Sequence, residues 1–446
     1  MTASQHGYVE APARTLAVLA RPDVLVVGGG AAGMAAACAA AREGAEVMLV
    51  ERQGYLGGTL TSVTLGGLCG GYLHQGGGIR PIVGGLYAEM VDRLKLLGAI
   101  SPTRVFGFVH GVPYDPEALR GMADAWLTES GVKVLLHAFV TEVSVSERRV
   151  RWVEVETRAG RAAILPTTIV DTSGDAEVVF RAGGRFSLGD KGRTQHPSQM
   201  FRMSGVDCET FFSVPRPQVD ALLQGALNDG EPLPRTSVAV YPNPVAGVAH
   251  LNATRVTRAD GSSLNLTDPW ELTQAEMTGR QQASLYARVA RERLPGFGEA
   301  RIVALGASLG IRETRLVQGD QTLTEPDVMQ AHKPADRIAC SGWPIEDHAT
   351  QGRTVWRPLP DGEWYGIPFG CLVSSDFDNV LVAGRCLSAT HEAQASARVV
   401  ATCMAMGEAA GTAATMSLSS PTSVRVDVPA LQQKLLAHGA LLEPSA

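Results

Sequence analysis

At both ends of the chain, short apolar runs of strand length alternate with longer stretches of helical or small-residue character. Residues 24–27 (VLVV) and 47–50 (VMLV) are unbroken apolar runs, as expected for strands buried on both faces of a parallel sheet. No charge falls between Val24 and Ala41. That length would suit a membrane span, but three consecutive glycines would break a lone helix in lipid. Residues 86–97 (LYAEMVDRLKLL) have helical spacing. A further helix is predicted from Asp115-Pro116-Glu117 to about Glu129, with Asp as cap, Pro in the first turn and Gly131 as the stop. Residues 133–141 (KVLLHAFVT) read as one buried strand. Residues 142–156 and 161–166 alternate apolar and polar, which predicts an antiparallel layer over the first sheet. Residues 167–170 form another strand. From about 181 to 360 the pattern loosens, with frequent proline and a helix candidate at 272–294. The strand–helix alternation returns at 378–385 and 399–415.

This pattern predicts an α/β protein: a Rossmann-like domain with a parallel sheet and an antiparallel β-layer, interrupted by an α+β domain. The boundaries expected are a loose extension at 1–21, a discontinuous first domain at 22–190 and 365–446, and an inserted substrate domain at 191–364.

Within the first strand–helix–strand unit the turn reads Gly28-Gly29-Gly30-Ala31-Ala32-Gly33, and the second strand ends in Glu51. This is the order demanded of a dinucleotide-binding βαβ unit. Gly28 permits the tight turn, Gly30 lets backbone amides approach a pyrophosphate, and Gly33 brings helix and strand together. The helix start offers unpaired N–H groups, and Glu51 would accept ribose hydroxyls. A second glycine-rich loop, with Gly57, Gly58 and Thr59, permits another close backbone approach. No second fingerprint of this kind follows a strand, so a separate NAD(P)H domain is not expected.

Composition narrows the class. The net charge is −6, with 39 Lys and Arg against 45 Asp and Glu, which disfavours nucleic acid and anionic membrane surfaces as partners. Seven cysteines without a C-x-x-C pair read as reduced thiols of a cytoplasmic protein, not as a disulfide frame, metal site or iron–sulfur site.

Together the segments 24–58, 170–178, 196–207 (HPSQMFRMSGVD), 250–256 (HLNATRV), 310–328 (GIRETRLVQGDQTLTEPDV), 365–373 (YGIPFGCLV) and 379–414 resemble the FAD-dependent oxidoreductase family related to glutathione-reductase and fumarate-reductase flavoproteins. The resemblance implies a glutathione-reductase-like fold, bound FAD and redox chemistry. It implies that Gly28, Gly30, Ala31, Ala32 and Gly33 hold the pyrophosphate, Glu51 the ribose and Arg52 the adenine side. Gly57, Gly58 and Thr59 would approach the phosphates and flavin, and Val140 would meet adenine through its backbone. Thr172, Ser173, Gly174 and Asp175 would close over the dinucleotide. Gly384, Val399 and Val400 would lie near the flavin. Relatives carry Asp where Arg385 stands, so the ribityl contact must be made differently here.

The chemistry candidates are His391, Arg312 and Tyr365. His391 can act as acid or base, or as a structural hydrogen-bonding group. Arg312, and Arg315 beside it, can hold a substrate carboxylate or pair with Glu313. Tyr365 is a proton donor or flavin lid. His196, Arg202 and His250 can face the flavin or serve the core. Cys69 is a buried thiol or, less simply, a covalent flavin anchor. The function expected is a dehydrogenase or oxidase exchanging a hydride between a small molecule and flavin N5, with oxygen or another acceptor completing turnover and a homo-oligomer open. A flavin-dependent monooxygenase is the alternative, and a non-catalytic flavin-binding protein is the reading from another class.

Overall fold

The computed structural model describes residue 9 and residues 13–106, 109–350 and 353–445. The apolar runs form a five-stranded sheet. Its strands are β1 (Val24–Val27), β2 (Val47–Val50), β3 (Lys133–Leu135), β4 (Thr168–Asp171) and β5 (Val380–Val382), all parallel in the order β5-β4-β1-β2-β3. Every residue of β1, β2, β4 and β5 is buried, which is why those segments show no polar alternation. The helices used below are α1 (Ala31–Arg42), α2 (Pro269–Arg293), α3 (His391–Ala397) and α4 (Val400–Met416).

Strands Phe139–Ser146, Arg149–Thr157 and Gly160–Ile164 make the antiparallel layer. The single strand expected over 133–141 is two, because His137 adopts a φ of +54° and turns the chain out of the parallel sheet. Residues 1–21, expected to be a loose extension, include a strand, Ala17–Ala20, paired in parallel with Gly160–Ile164.

Helices α1 and α4 pack in parallel with almost no space between their backbones. A Cβ on Gly407 would lie 2.1 Å from the Ala32 carbonyl oxygen, and one on Gly411 would lie 2.1 Å from that of Ala36. One turn on, Thr415 Oγ1 donates to Ala40 O at 3.2 Å. Ala32, Ala36 and Ala40 thus face Gly407, Gly411 and Thr415 at the spacing of one face of a helix. Because α4 begins seven residues before Gly407 and α1 begins one before Ala32, the start of α4 projects about 9 Å beyond that of α1 at 1.5 Å per residue.

Phe201–Ser204, Ala239–Pro242, Val248–Asn252 and Arg301–Leu305 form a second, antiparallel sheet covered by α2, with its own core of Phe201, Phe211, Leu251, Tyr286 and Phe297. The remainder of the 191–364 stretch behaves otherwise. Arg337–Ser341 pairs with Tyr365–Pro368, and Ile338, Cys340, Ile345 and Trp364 join the core around α1 and α4. Among the described residues no helix is long and apolar enough to cross a membrane.

Candidate active site

At the carboxyl end of β1 the chain turns through Gly28 with φ +99°, and a Cβ there would meet Ser173 Cα at 2.8 Å. Gly33 sits against the Gly28 carbonyl, where a Cβ would approach to 1.8 Å. The loop carrying Gly57 and Gly58 folds back on this turn: Gly57 N–H donates to Gly29 O at 2.8 Å, and a Cβ on Gly58 would lie 2.7 Å from Gly30 Cα. Thr59 follows in the same short helical turn. Glu51 is buried, and its two oxygens accept from Gly29 N–H at 2.6 Å and Gln53 N–H at 2.8 Å.

An open cleft adjoins this turn, lined by Gly28, Glu51, Arg52, Val140, Ser173 and Glu177 among others. Arg52 lies at its rim, 3.6 Å from Asp175. Asp175 also accepts from Arg385 and from Thr314, each at 2.8 Å. These cations hold its carboxyl below the usual range against the opposing effect of burial. Arg385 thus reaches across to Asp175 and packs against Gly174, with its Nη1 unpartnered among the described residues. Ser173 donates to Asp171 at the end of β4, and Thr172 Oγ1 donates to the Gly28 carbonyl, which ties β4 to the glycine turn.

Side chains cap six helices, through Asp115, Asp207, Asp268, Thr324, Thr390 and Asp427. Helices α1 and α4 begin at Gly30 and Val399 with no side-chain cap, and helices Gly85–Leu96, Glu177–Arg181 and Arg216–Asn228 also lack one. Two uncapped helix starts facing the same way, about 9 Å apart along the axis, leave amide groups and positive dipole ends for one long anionic ligand. Gly384 separates β5 from the segment leading to α3, and a Cβ on it would meet Ala32 at 3.0 Å.

Helix α3 ends directly before α4 and carries the second half of the site. His391 is buried at its start. Its Nδ1 is 2.7 Å from Glu313 Oε2, and its Nε2 is 3.4 Å from Asp347 Oδ1 and 3.1 Å from Gln195 Nε2. Gln195 is pinned by His348 N–H, which donates to its Oε1 at 2.6 Å, so its amide nitrogen faces the imidazole. The amide favours a bare Nε2 and the two carboxylates favour a protonated one. The carboxylates win, pulling His391 up to about 9 although burial opposes them.

His196 is the opposite case. It is 1% exposed, and neither ring nitrogen has a partner among the described residues. Burial, with Arg255 and Arg312 nearby, pushes it down to about 4. Arg312 is buried and donates to His196 O at 2.6 Å and Ser198 Oγ at 3.0 Å. It makes no ion pair with Glu313. Arg315 donates to Asp175 O at 2.9 Å and stacks on Phe180, away from this cluster.

The remaining candidates have structural surroundings. Tyr365 is fully buried in the strand paired with Arg337–Ser341 and shares a 2.7 Å hydrogen bond with Ser396, and burial pushes its hydroxyl up to about 12. His250 is held by Asn243 at 2.7 Å, and Arg202 pairs with Glu117 at 2.6 Å. Burial drives the Cys69 thiol up to about 12, so it is no thiolate nucleophile. All seven cysteines are free. Gln195, Glu346, Asp347, His348 and Arg398 escape the sequence reading. The titratable run Glu346-Asp347-His348 was their one local signal.

This fold and site define a dinucleotide-binding α/β protein with a buried cluster of titratable side chains. The family described as FAD dependent oxidoreductase matches residues 23–435, and the chain belongs to it. It is accordingly an FAD-dependent oxidoreductase enzyme. The residues fit that cofactor: a glycine cradle without room for side chains, an acid at the end of β2, an open cleft beside it and two uncapped helix starts. No curated protein matches the sequence. Among solved structures, a geranylgeranyl bacteriochlorophyll reductase-like protein from Thermoplasma acidophilum is similar at 14% identity, covering 94% of this chain and 82% of that one with a TM-score of 0.45. AlpK is similar at 15% identity over 94% and 68%, TM-score 0.46. A triple mutant of the flavin-dependent brominase Bmp2 is similar at 12% over 94% and 83%, TM-score 0.44. At these values the likenesses carry no argument about chemistry.

Proposed function

We propose that the protein is a dehydrogenase or oxidase exchanging a hydride between a small organic substrate and the flavin. FAD, when bound, supplies the two-electron acceptor for that hydride. Gly28, Gly30, Gly33, Gly58 and the start of α1 would hold its pyrophosphate, Glu51 its ribose, and Val399 and Val400 at the start of α4 its flavin end, an arrangement read as glutathione-reductase-like.

The observation that carries the proposal is the contrast between two buried histidines: His196, with neither ring nitrogen partnered among the described residues and burial pushing it down, and His391, held between the Glu313 and Asp347 carboxylates that pull it up. Environments that push two titratable groups apart assign base and acid. A substrate that gives up a hydride from carbon next to O–H or N–H must also give up a proton. The bare, unpartnered ring of His196 is suited to take it. His391, charged at neutral pH, is suited to stabilise negative charge or to return a proton in the reverse direction. Tyr365 has no part in this scheme, since its hydroxyl is bound to Ser396.

The test is anaerobic photoreduction of the holoprotein followed by mixing with oxygen. Prompt reoxidation with peroxide release marks an oxidase, and slow reoxidation marks a dehydrogenase with another acceptor. Transfer of an oxygen atom into an organic product would sink the proposal in favour of a monooxygenase.

A further inference from the structure

Four arginines, Arg235, Arg255, Arg312 and Arg398, come from separate segments to the region beside His196 and the start of α4. None of them makes an ion pair with a carboxylate among the described residues. Their partners are neutral oxygens: Arg235 donates to the Ala253 and Asn252 carbonyls, Arg255 to Thr350 O and Thr354 Oγ1, Arg312 to His196 O and Ser198 Oγ, and Arg398 to Glu346 O at 3.4 Å. Each is held below its ordinary pKa by burial, and Arg312 also by the other three. The nearby carboxylates, Glu346, Glu313 and Asp347, favour the charged form of these arginines from a distance, but their direct partners are others: His348 and Trp343 Nε1 for Glu346, His391 for Glu313, and His391 and Arg193 for Asp347. Four desolvated guanidinium groups face three carboxylates, none of them within ion-pair distance among the described residues, which leaves positive charge in excess; such a cluster has a use for an anion.

A second, independent observation points the same way. The His196 ring, buried and without a partner among the described residues, is fixed to Arg312 through its own carbonyl, and Arg398 Nε is likewise buried and unpartnered among them. Next to Arg398, Val399 packs with Trp343 in an apolar cluster completed by Trp356, whose ring lies 6.3 Å from that of Trp343. A planar guanidinium matches a carboxylate through two parallel hydrogen bonds, and the apolar wall suits the body that carries it.

We infer that the substrate is an organic carboxylate, its anionic end held by Arg312 and Arg398 and its apolar body laid against Trp343 and Val399. This rests on the redox reading above, and the test separates the two. The holoprotein is titrated with benzoate, with benzamide as neutral isostere and inorganic phosphate as an anion of another class, following visible flavin absorbance and tryptophan fluorescence. Benzoate is expected to give a saturable change and to bind at least about tenfold tighter than either control, with Arg312→Gln and Arg398→Gln each weakening it about tenfold at unchanged FAD content. If either variant fails to fold, the comparison of benzoate with benzamide on the unaltered protein still decides. Benzamide or phosphate binding as tightly as benzoate, or no response to benzoate, overturns the inference. Failure of benzoate to bind a protein whose photoreduced flavin passes electrons on would leave the redox proposal standing. Benzoate binding by a protein whose flavin never does so would leave the carboxylate site standing and sink the redox reading.

Discussion

Gly411→Ala isolates the contact that holds the two cofactor-facing helices together. The new Cβ would lie 2.1 Å from Ala36 O, 2.8 Å from Ala36 C and 2.9 Å from Ala36 Cα, all backbone atoms with no rotamer to escape into. Restoring an ordinary contact of about 3.4 Å requires α1 and α4 to part by about 1.3 Å, and strain of that kind in a packed core costs roughly 1–3 kcal/mol. Alanine recovers about 1 kcal/mol of helix propensity. The net is a loss of up to about 2 kcal/mol, accompanied by weaker FAD retention because the starts of both helices shift. Gly121→Ala is the matched control. Gly121 is an exposed glycine inside helix Pro116–Glu129, and a Cβ there meets nothing within 4 Å. It should therefore gain the propensity term alone. Urea unfolding followed by tryptophan fluorescence, with FAD content read from the supernatant after acid precipitation, gives both numbers. Opposite signs for the two variants are expected. Stabilisation by both, with FAD retained, would refute the tight helix pair.

Three further outcomes follow from the site. Glu51→Ala removes the acceptor of Gly29 N–H and the proposed ribose partner, and should lower FAD occupancy several-fold with little change in far-UV circular dichroism, a deficit that excess FAD repairs in equilibrium dialysis. Asp175→Asn leaves Arg385 without its counter-charge and should cost about 3 kcal/mol in the same urea assay, whereas Glu209→Gln on an exposed surface should cost less than about 0.5 kcal/mol. His391 is raised from 6.5 to about 9 by Glu313 and Asp347, so it contributes about 3 kcal/mol that is fully present below pH 6.5 and lost as pH rises through 9. His391→Asn should flatten the stability profile across that window, and an unchanged alkaline slope would exclude His391 as its source.

Much of the cofactor half was legible because its signals are local. Continuous apolar runs, the spacing of Gly28, Gly30 and Gly33, and the acid at position 51 lie within one βαβ unit. Helix Pro116–Glu129 begins at the Asp cap that its sequence announces, with Asp115 accepting from Glu117 N–H at 3.0 Å. What was not legible depends on pairing across long separations. The pairing of Ala17–Ala20 with residues 162–164 turned an expected extension into a strand. The pairing of Arg337–Ser341 with Tyr365–Pro368 carried part of the expected inserted domain into the first core. In the charge cluster, Gln195, Glu313, Asp347 and His391 meet from four segments with no shared motif. Arg398 sits in a stretch of small residues, where its sequence neighbours say nothing of the arginines it joins.

The α1–α4 contact also sets a timetable for synthesis. Ala40 and Thr415, which close that interface, are 375 residues apart in the chain. At 5–20 residues per second a ribosome needs roughly 20 to 75 s to make the second after the first. Throughout that interval α1 has its alanine face uncovered, and β4, once made, presents an unpaired edge until β5 fills it. The nucleotide cradle is thus among the first parts translated and the last completed. Premature release of the chain leaves a protein with its glycine turn made but without β5 and α4 beside it.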